Sequence, residues 1–100
     1  MRVPTPDEPM FTVGQVSAML QVQQAFLRRL ESHNLIQPER SDGNQRRYSR
    51  ADVDQLVHIC GLVDDGLTLA GISRILELEA EVRSLKAQLK AAKSHAQPRN

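Results

Sequence analysis

The hydrophobic positions near the start of the chain recur with helical spacing. A first short helix is predicted from Phe11–Thr12 to about Leu20, because Thr12 and Gln15 match the capping box T-x-x-Q. The inner face of this helix is predicted to comprise Val16, Met19 and Leu20. Residues 1–9 precede it with three prolines and no hydrophobic period, which predicts a disordered arm.

The second predicted helix, Gln23–His33, has one apolar side and one cationic side. Leu27 and Leu30 face inward, whereas Gln24, Arg28 and Arg29 project outward. Two short helices joined by a turn of about three residues are typical of a helix-turn-helix. Arginine suits guanine or phosphate and glutamine suits adenine, so we predict that this helix enters a DNA major groove. The predicted DNA contacts on it are Gln23, Gln24, Phe26, Arg28 and Arg29.

A polar, arginine-rich stretch follows the second helix. Asn34 stands where a left-handed residue is expected to end the helix, and Leu35–Ile36 are predicted to pack back onto the core. Pro38 and the run Ser-Asp-Gly-Asn mark a turn between two extended pieces, which predicts a hairpin, or wing. Wing arginines would contact phosphates and so position the protein on DNA. The predicted wing contacts are Arg40, Asn44, Arg46, Arg47 and Tyr48.

The second half of the chain is predicted to be helical. Ser49 caps a third helix, with Asp52 in the capping-box position, and this helix ends at Asp64–Gly66. Its predicted buried face comprises Val53, Leu56, Val57, Cys60 and Val63. Thr68 caps a further helix. The sequence leaves open whether that helix continues through Glu77–Ala80, since nothing there would break it.

From Ile75 onward the apolar positions alternate at spacings of three and four, as in a coiled coil. The positions of this ladder are Ile75, Leu78, Val82, Leu85, Leu89 and Ala92. Acidic residues flank its early part and basic residues its late part, which favours antiparallel pairing of two copies. We therefore predict that these six residues form a homodimer interface. The alternative is that the helix folds back on its own domain.

Composition narrows the possible functions. The formal net charge is +1, but the span from Arg28 to Arg50 holds six arginines against three acids, a local basic surface typical of nucleic-acid binding. The single cysteine, Cys60, excludes an intrachain disulfide. No signal peptide or long apolar run is recognisable, so we expect a soluble, cytosolic protein that is not bound to a membrane. Phosphate-binding glycine loops, nucleophile–base pairs and metal-spaced ligand sets are absent from the sequence, which predicts neither an enzyme nor a cofactor.

The order of these motifs resembles the MerR family of bacterial transcription regulators, and within it the HspR-like heat-shock repressors. The matching stretches are FTVGQVSAML at the first helix, Val22–Arg28 with Glu31, the wing R-x-x-G-x-x-R-R-Y-S from Arg40 to Ser49, and GLTLAGISRILELEAEVRSLKAQL at 66–89. Two positions depart from the family pattern. Leu30 stands where a tyrosine is usual, and Gln23 stands where Ser, Thr or His usually caps the recognition helix.

The resemblance implies a mainly α fold, with a winged helix-turn-helix DNA-binding domain followed by a C-terminal coiled-coil dimerisation helix. The predicted boundaries are a disordered arm at 1–9, the winged domain at 10–77, the coiled-coil helix at 78–93 and a flexible tail at 94–100. By position, Arg28 is expected to grip DNA from the helix, and Arg46 and Tyr48 from the wing. The implied partners are an inverted repeat of double-stranded DNA, a second copy of the chain, and a co-regulator such as DnaK or RNA polymerase. The expected location is the cytoplasm of a bacterium, on the nucleoid.

The sequence is also compatible with other functions. Repression by occupancy is favoured because no room for a ligand pocket is expected after Ala92. A metal- or redox-sensing regulator would need more ligands than Cys60 and three scattered histidines, so a buried structural cysteine is the preferred interpretation. An excisionase-like DNA bender or an adaptor would share the winged helix but would often lack a self-complementary coiled coil.

Overall fold

The protein is described by a computed structural model, which covers residues 3–96. It contains four helices and a small three-stranded antiparallel sheet. The elements in chain order are β1 (Phe11–Thr12), α1 (Val13–Leu20), α2 (Gln24–Ser32), β2 (Glu39–Arg40), β3 (Arg46–Tyr48), α3 (Arg50–Asp64) and α4 (Leu69–Ala96). The mainly α fold class and the helix-turn-helix with a wing are thereby confirmed.

Local capping interactions begin the first and third helices where the sequence predicts. Gln15 N donates to Thr12 Oγ1 at 3.1 Å, and Thr12 N donates to Gln15 Oε1 at 2.8 Å. Ser49 and Asp52 make the same reciprocal pair at the start of α3, at 2.9 and 3.0 Å. Each box satisfies two backbone N–H groups that a helix start would otherwise leave unpaired.

Three helices end in the same left-handed turn. At the end of α2, Asn34 has φ 59°, as predicted, and Leu35 N donates to Leu30 O at 2.9 Å. Gln21 with φ 55° ends α1, and Gly66 with φ 90° ends α3. This turn reverses the chain within two or three residues because it pairs the last free carbonyls of the helix. The left-handed turn at Gln21 therefore keeps the connection between α1 and α2 short.

The core lies between the helix-turn-helix, the wing and α3. Its fully buried residues are Val16, Leu27, Leu30, Tyr48, Leu56, Ile59 and Ile72. Gln55 Nε2 donates to Leu35 O at 2.8 Å and ties α3 to the segment after α2.

Several details differ from the sequence predictions. Phe11–Thr12 form a strand rather than the start of a helix, because Phe11 pairs with Tyr48 and Thr12 with Arg47 across the sheet. Met19 is 51% exposed and Val57 is 54% exposed, although both were predicted to face inward. The buried residues of α3 are Val53, Leu56 and Ile59, and Ile59 was not among the positions predicted to be buried. A further difference concerns the wing residue Tyr48.

The two ends of the chain add detail to the predicted boundaries. The arm has no helix or strand between residues 3 and 10, but Ala51 N donates to Pro6 O at 2.9 Å and Met10 N donates to Tyr48 O at 3.0 Å. Helix α4 is unbroken from Leu69 to Ala96, which answers the question of continuity through Glu77–Ala80. It therefore extends three residues into the predicted tail, and residues 97–100 lie outside the described part.

Candidate nucleic-acid interface

Helix α2 presents an exposed polar face whose arginines are not engaged by the protein. Gln24, Arg28 and Arg29 are exposed, while Leu27 and Leu30 on the other side are fully buried. Neither Arg28 nor Arg29 makes a side-chain hydrogen bond or ion pair within residues 3–96. Gln23 precedes the helix as its N-cap, and its side chain makes no capping bond. This face can therefore offer its full set of donors to an anionic ligand.

Phe26 lies on the packing side of α2, contrary to the sequence prediction. Its side chain is half-buried and packs against the core. It also lines an apolar groove of about 430 Å³ together with Val22, Cys60 and Val63. Phe26 therefore holds α2 against α3 rather than projecting with the arginines.

The wing is a short hairpin with a tight, hydrogen-bonded tip. Glu39 pairs with Arg47 and Arg40 with Arg46 between the two strands. At the tip, Asn44 has φ 63°, and its N–H donates to Ser41 O at 2.8 Å. Ser41 N also donates to Gln45 O at 2.8 Å, which leaves residues 42–44 as the loop. A three-residue loop that ends in a left-handed residue is a common hairpin connection, and asparagine tolerates that conformation better than most residues.

Glu31 on α2 connects the recognition helix to the wing. Arg46 Nε donates to Glu31 Oε2 at 2.7 Å, and Arg40 Nη2 lies 3.5 Å from Glu31 Oε1. The side chains of Arg46 and Glu31 are only 24% and 21% exposed, so solvent screens their pairing weakly. The wing is thus held beside α2 by a charge-assisted hydrogen bond.

Sequence reasoning did not identify Glu31 as a functional residue. The available signal was that Glu31 is an isolated acid one helical turn after Arg28, inside an arginine-rich span. Its partners lie 15 residues away along the chain in the case of Arg46, so only the folded hairpin reveals the contact.

Tyr48 cannot contact DNA through its side chain in this structure, contrary to the prediction. Residues two apart on a strand share a face, so Arg46 and Tyr48 both point inward from β3. Tyr48 is 0% exposed. Burial and, to a smaller degree, the charge of Glu31 raise the pKa of the Tyr48 hydroxyl above its usual 10.0, so the group stays protonated. Arg47 points to the other face of the strand, half-buried, and its Nη1 donates to Arg46 O at 3.2 Å.

The buried hydroxyl of Tyr48 leads to a stability prediction. This oxygen has no hydrogen-bond partner within the described residues. Tyr48→Phe should therefore raise the free energy of unfolding by about 1 kcal/mol, because it removes an unsatisfied polar group and keeps the ring. Thermal denaturation checks this. DNA affinity should stay within about twofold of the wild-type value, since about 1.4 kcal/mol corresponds to tenfold and no contact is lost. A large loss of DNA binding in Tyr48→Phe would restore the hydroxyl as a contact.

Cys60 has the surroundings of a structural thiol. It is half-buried in the groove beside Phe26, and burial, with a smaller effect of Asp64, raises the pKa of its thiol. The protonated thiol is a poor metal ligand and nucleophile. In residues 3–96 no group of three or more His, Cys, Asp and Glu side chains is placed to hold a metal ion. No helix in that range is long and apolar enough to cross a membrane.

The helix-turn-helix with its adjoining wing matches a known family model. Residues 11–79 match the model described as MerR HTH family regulatory protein. The chain belongs to the MerR family. It is therefore a DNA-binding transcription regulator and not an enzyme.

Three curated relatives are similar in sequence to this MerR-family protein. The transcriptional regulator GlnR of Bacillus anthracis is 39% identical over 85 residues, which are 82% of this chain and 66% of GlnR. The heat shock protein HspR of Streptomyces coelicolor is 35% identical over 84% of this chain and 56% of its own length. The transcriptional regulator TnrA of Bacillus subtilis is 32% identical over 85% of this chain and 86% of TnrA. The chain thus spans about two thirds of GlnR and somewhat more than half of HspR.

Solved structures share the fold of this MerR-family protein. The crystal structure of HiNmlR, a MerR family regulator lacking the sensor domain and bound to promoter DNA, superposes with a TM-score of 0.63 at 19% identity. It covers 85% of this chain and 76% of that one. A MerR family regulator from Bacillus cereus also has a TM-score of 0.63, at 21% identity, over 85% of this chain and 68% of that one.

Proposed function

We propose that this protein is a sequence-specific repressor that binds an inverted-repeat operator as a homodimer. In each protomer, α2 enters the major groove and the wing lies on the adjacent backbone. The observation that carries the proposal is the exposed face of α2, where Gln24, Arg28 and Arg29 are unpaired beside a wing that Glu31 holds in place. Arginine and glutamine at such a face can read guanine and adenine edges, and the wing arginines can neutralise phosphates.

The exposed apolar stripe of α4 supports the homodimer. Leu78, Val82, Leu85 and Leu89 are 42%, 47%, 56% and 55% exposed, and they recur with the coiled-coil spacing. A contiguous stripe of this kind on a helix is typical of an interface. With two antiparallel copies, the acidic span Glu77–Glu81 of one helix would lie beside the basic span 83–93 of the other.

The proposed mode of action and target genes follow from the similarity to HspR. They include repression by operator occupancy, operators at stress genes such as those for chaperones, and a co-regulator such as DnaK or RNA polymerase. Binding measured across the genome, with the recovered sites searched for symmetry, tests the whole proposal. Inverted repeats upstream of chaperone genes would support it in full, and inverted repeats elsewhere would keep the mechanism with other targets. Direct repeats or no shared motif would overturn the symmetric dimer and favour an architectural DNA-binding protein.

Arg28 provides a direct test of the interface. Arg28→Ala should weaken specific binding by about 1–3 kcal/mol and reduce the salt slope of binding by about 1 if the guanidinium neutralises a phosphate. Gln24→Ala should instead change the preferred base and leave the salt slope unchanged. Binding isotherms at several salt concentrations measure both quantities. Arg74→Ala is the matched control, because Arg74 is an exposed arginine on α4 that pairs with Glu77. Equal losses in Arg28→Ala and Arg74→Ala would contradict the proposed contact.

A further inference from the structure

A side-chain contact joins α3 to α4 at one point. His58 Nε2 lies 2.9 Å from Glu79 Oε1 and 3.1 Å from Glu79 Oε2. A carboxylate only accepts hydrogen bonds, so the Nε2–H of His58 is the donor. Within residues 3–96, no other side-chain hydrogen bond or ion pair links these two helices. In the described part of the chain, this contact is therefore the one side-chain polar constraint on the direction of α4 relative to α3.

Glu79 marks the place where α4 leaves the DNA-binding domain. Before it, Ile72 is fully buried, Leu76 is half-buried against the core of the domain, and Ile75 is half-buried. Glu79 is still half-buried, whereas every side chain from Ala80 to His95 is exposed. A short apolar patch holds two helices together but permits a range of crossing angles. The polar contact at its outer edge restricts that range.

We propose that His58 and Glu79 are a positioning pair that sets the spacing between the two DNA half-sites the dimer recognises. The inference rests on the proposed homodimer. In the antiparallel arrangement, Ala92 of one helix lies opposite Ile75 of the partner, so the partner's domain is attached about 20 Å beyond Glu79 at 1.5 Å per residue. A tilt of about 10° at Glu79 displaces that point by about 3.4 Å, which is the rise of one base pair. A small change in the angle at which α4 leaves the domain therefore changes the distance between the two DNA half-sites.

Binding to operators of altered spacing tests this role with the full chain. The operator is first selected from random DNA with the wild-type protein, and its central spacer is then lengthened and shortened by one and two base pairs. The wild type should bind the operator with one spacer about tenfold more tightly than operators with the neighbouring spacers. We expect a wrong spacer to cost about as much binding free energy as one mismatched base pair in the site. His58→Ala and Glu79→Ala should reduce this preference to about threefold or less. His58→Gln should retain the preference, because its amide N–H can still donate to Glu79.

The matched control is Asp54→Ala. Asp54 pairs with Arg50 at 3.3 Å within α3 and makes no hydrogen bond or ion pair to α4 in the described residues, so its removal should leave the spacer preference unchanged. Dimerisation of every variant is measured by sedimentation, which separates a weaker dimer from a misdirected one. An unchanged spacer preference in His58→Ala, or an equal loss in Asp54→Ala, would overturn the positioning role. A wild-type protein that sediments as a monomer would overturn the proposed homodimer itself, whereas a wild-type dimer that is indifferent to spacing would overturn the positioning role alone.

Discussion

Leu85→Asp should abolish dimerisation and, with it, high-affinity operator binding. In the proposed antiparallel pairing, Leu85 would pack against Val82 of the partner, and the two-fold axis would repeat this contact. One substitution would therefore place two carboxylates at the centre of the interface. Each lost leucine contributes about 1.5–3 kcal/mol of burial, and each carboxylate must also be desolvated. A total of about 4 kcal/mol or more raises the dimer dissociation constant at least about a thousandfold. Sedimentation equilibrium measures this constant directly.

Ala87→Asp is the control for Leu85→Asp. Ala87 lies on the same fully exposed part of α4, two residues along, but outside the apolar stripe. Ala87→Asp adds the same charge to the same helix and should leave the dimer intact. A dimer that survives Leu85→Asp, or that is lost equally in Ala87→Asp, would show that the stripe is not the interface. Circular dichroism of both variants should report unchanged helix in the winged domain, because the core does not include position 85.

Glu31→Ala should destabilise the fold and reduce sequence specificity more than overall DNA affinity. It leaves Arg46, whose side chain is only 24% exposed, without its carboxylate, and we expect a loss of about 1–3 kcal/mol in unfolding free energy. The freed Arg40 and Arg46 can then neutralise up to two more phosphates, which steepens the salt slope by about 0.9 for each. Specific affinity should fall about tenfold or more, by loss of wing orientation, while non-specific affinity is unchanged or higher.

The control for Glu31→Ala is Asp54→Ala. Asp54 pairs with Arg50 at 3.3 Å, but both side chains are 67% exposed, so this pair is screened by solvent. Asp54→Ala removes the same charge and should change the ratio of specific to non-specific affinity little. Titrations with operator and with unrelated DNA give that ratio for each variant. If Glu31→Ala kept the wild-type ratio, the contact between Glu31 and Arg46 would be structural only.

The two ends of the molecule thus carry different parts of the proposed mechanism. Glu31 fixes the wing relative to the recognition helix within one protomer, and the stripe of α4 would fix one protomer relative to the other. The contact between His58 and Glu79 lies between them, where the domain meets the helix. Variants at the three places should therefore alter three separate measurements, namely specificity, dimerisation and spacer preference.

The sequence by itself determined the features that depend on neighbouring residues. The capping boxes at Thr12 and Ser49 and the left-handed turn at Asn34 were predictable, because each involves groups no more than five residues apart. The exposed arginines of α2 and the hairpin of the wing were predictable for the same reason. Helical period predicted helix on both sides of Glu77–Ala80, but it left open whether a single helix runs through that span, as α4 does.

Only the tertiary structure decided which side chains meet across the fold. Strand β1 exists because Phe11 finds Tyr48 in β3, although its local sequence predicts a helix start. The burial of Tyr48 and the inward turn of Arg46 toward Glu31 follow from the facing of β3, which a stretch of three residues does not reveal. The choice of Ile59 over Val57 in α3 depended on what packs against the helix, since both are apolar and lie two residues apart. The contact between His58 and Glu79 spans 21 residues, and its existence depends on the packing of α4 against α3.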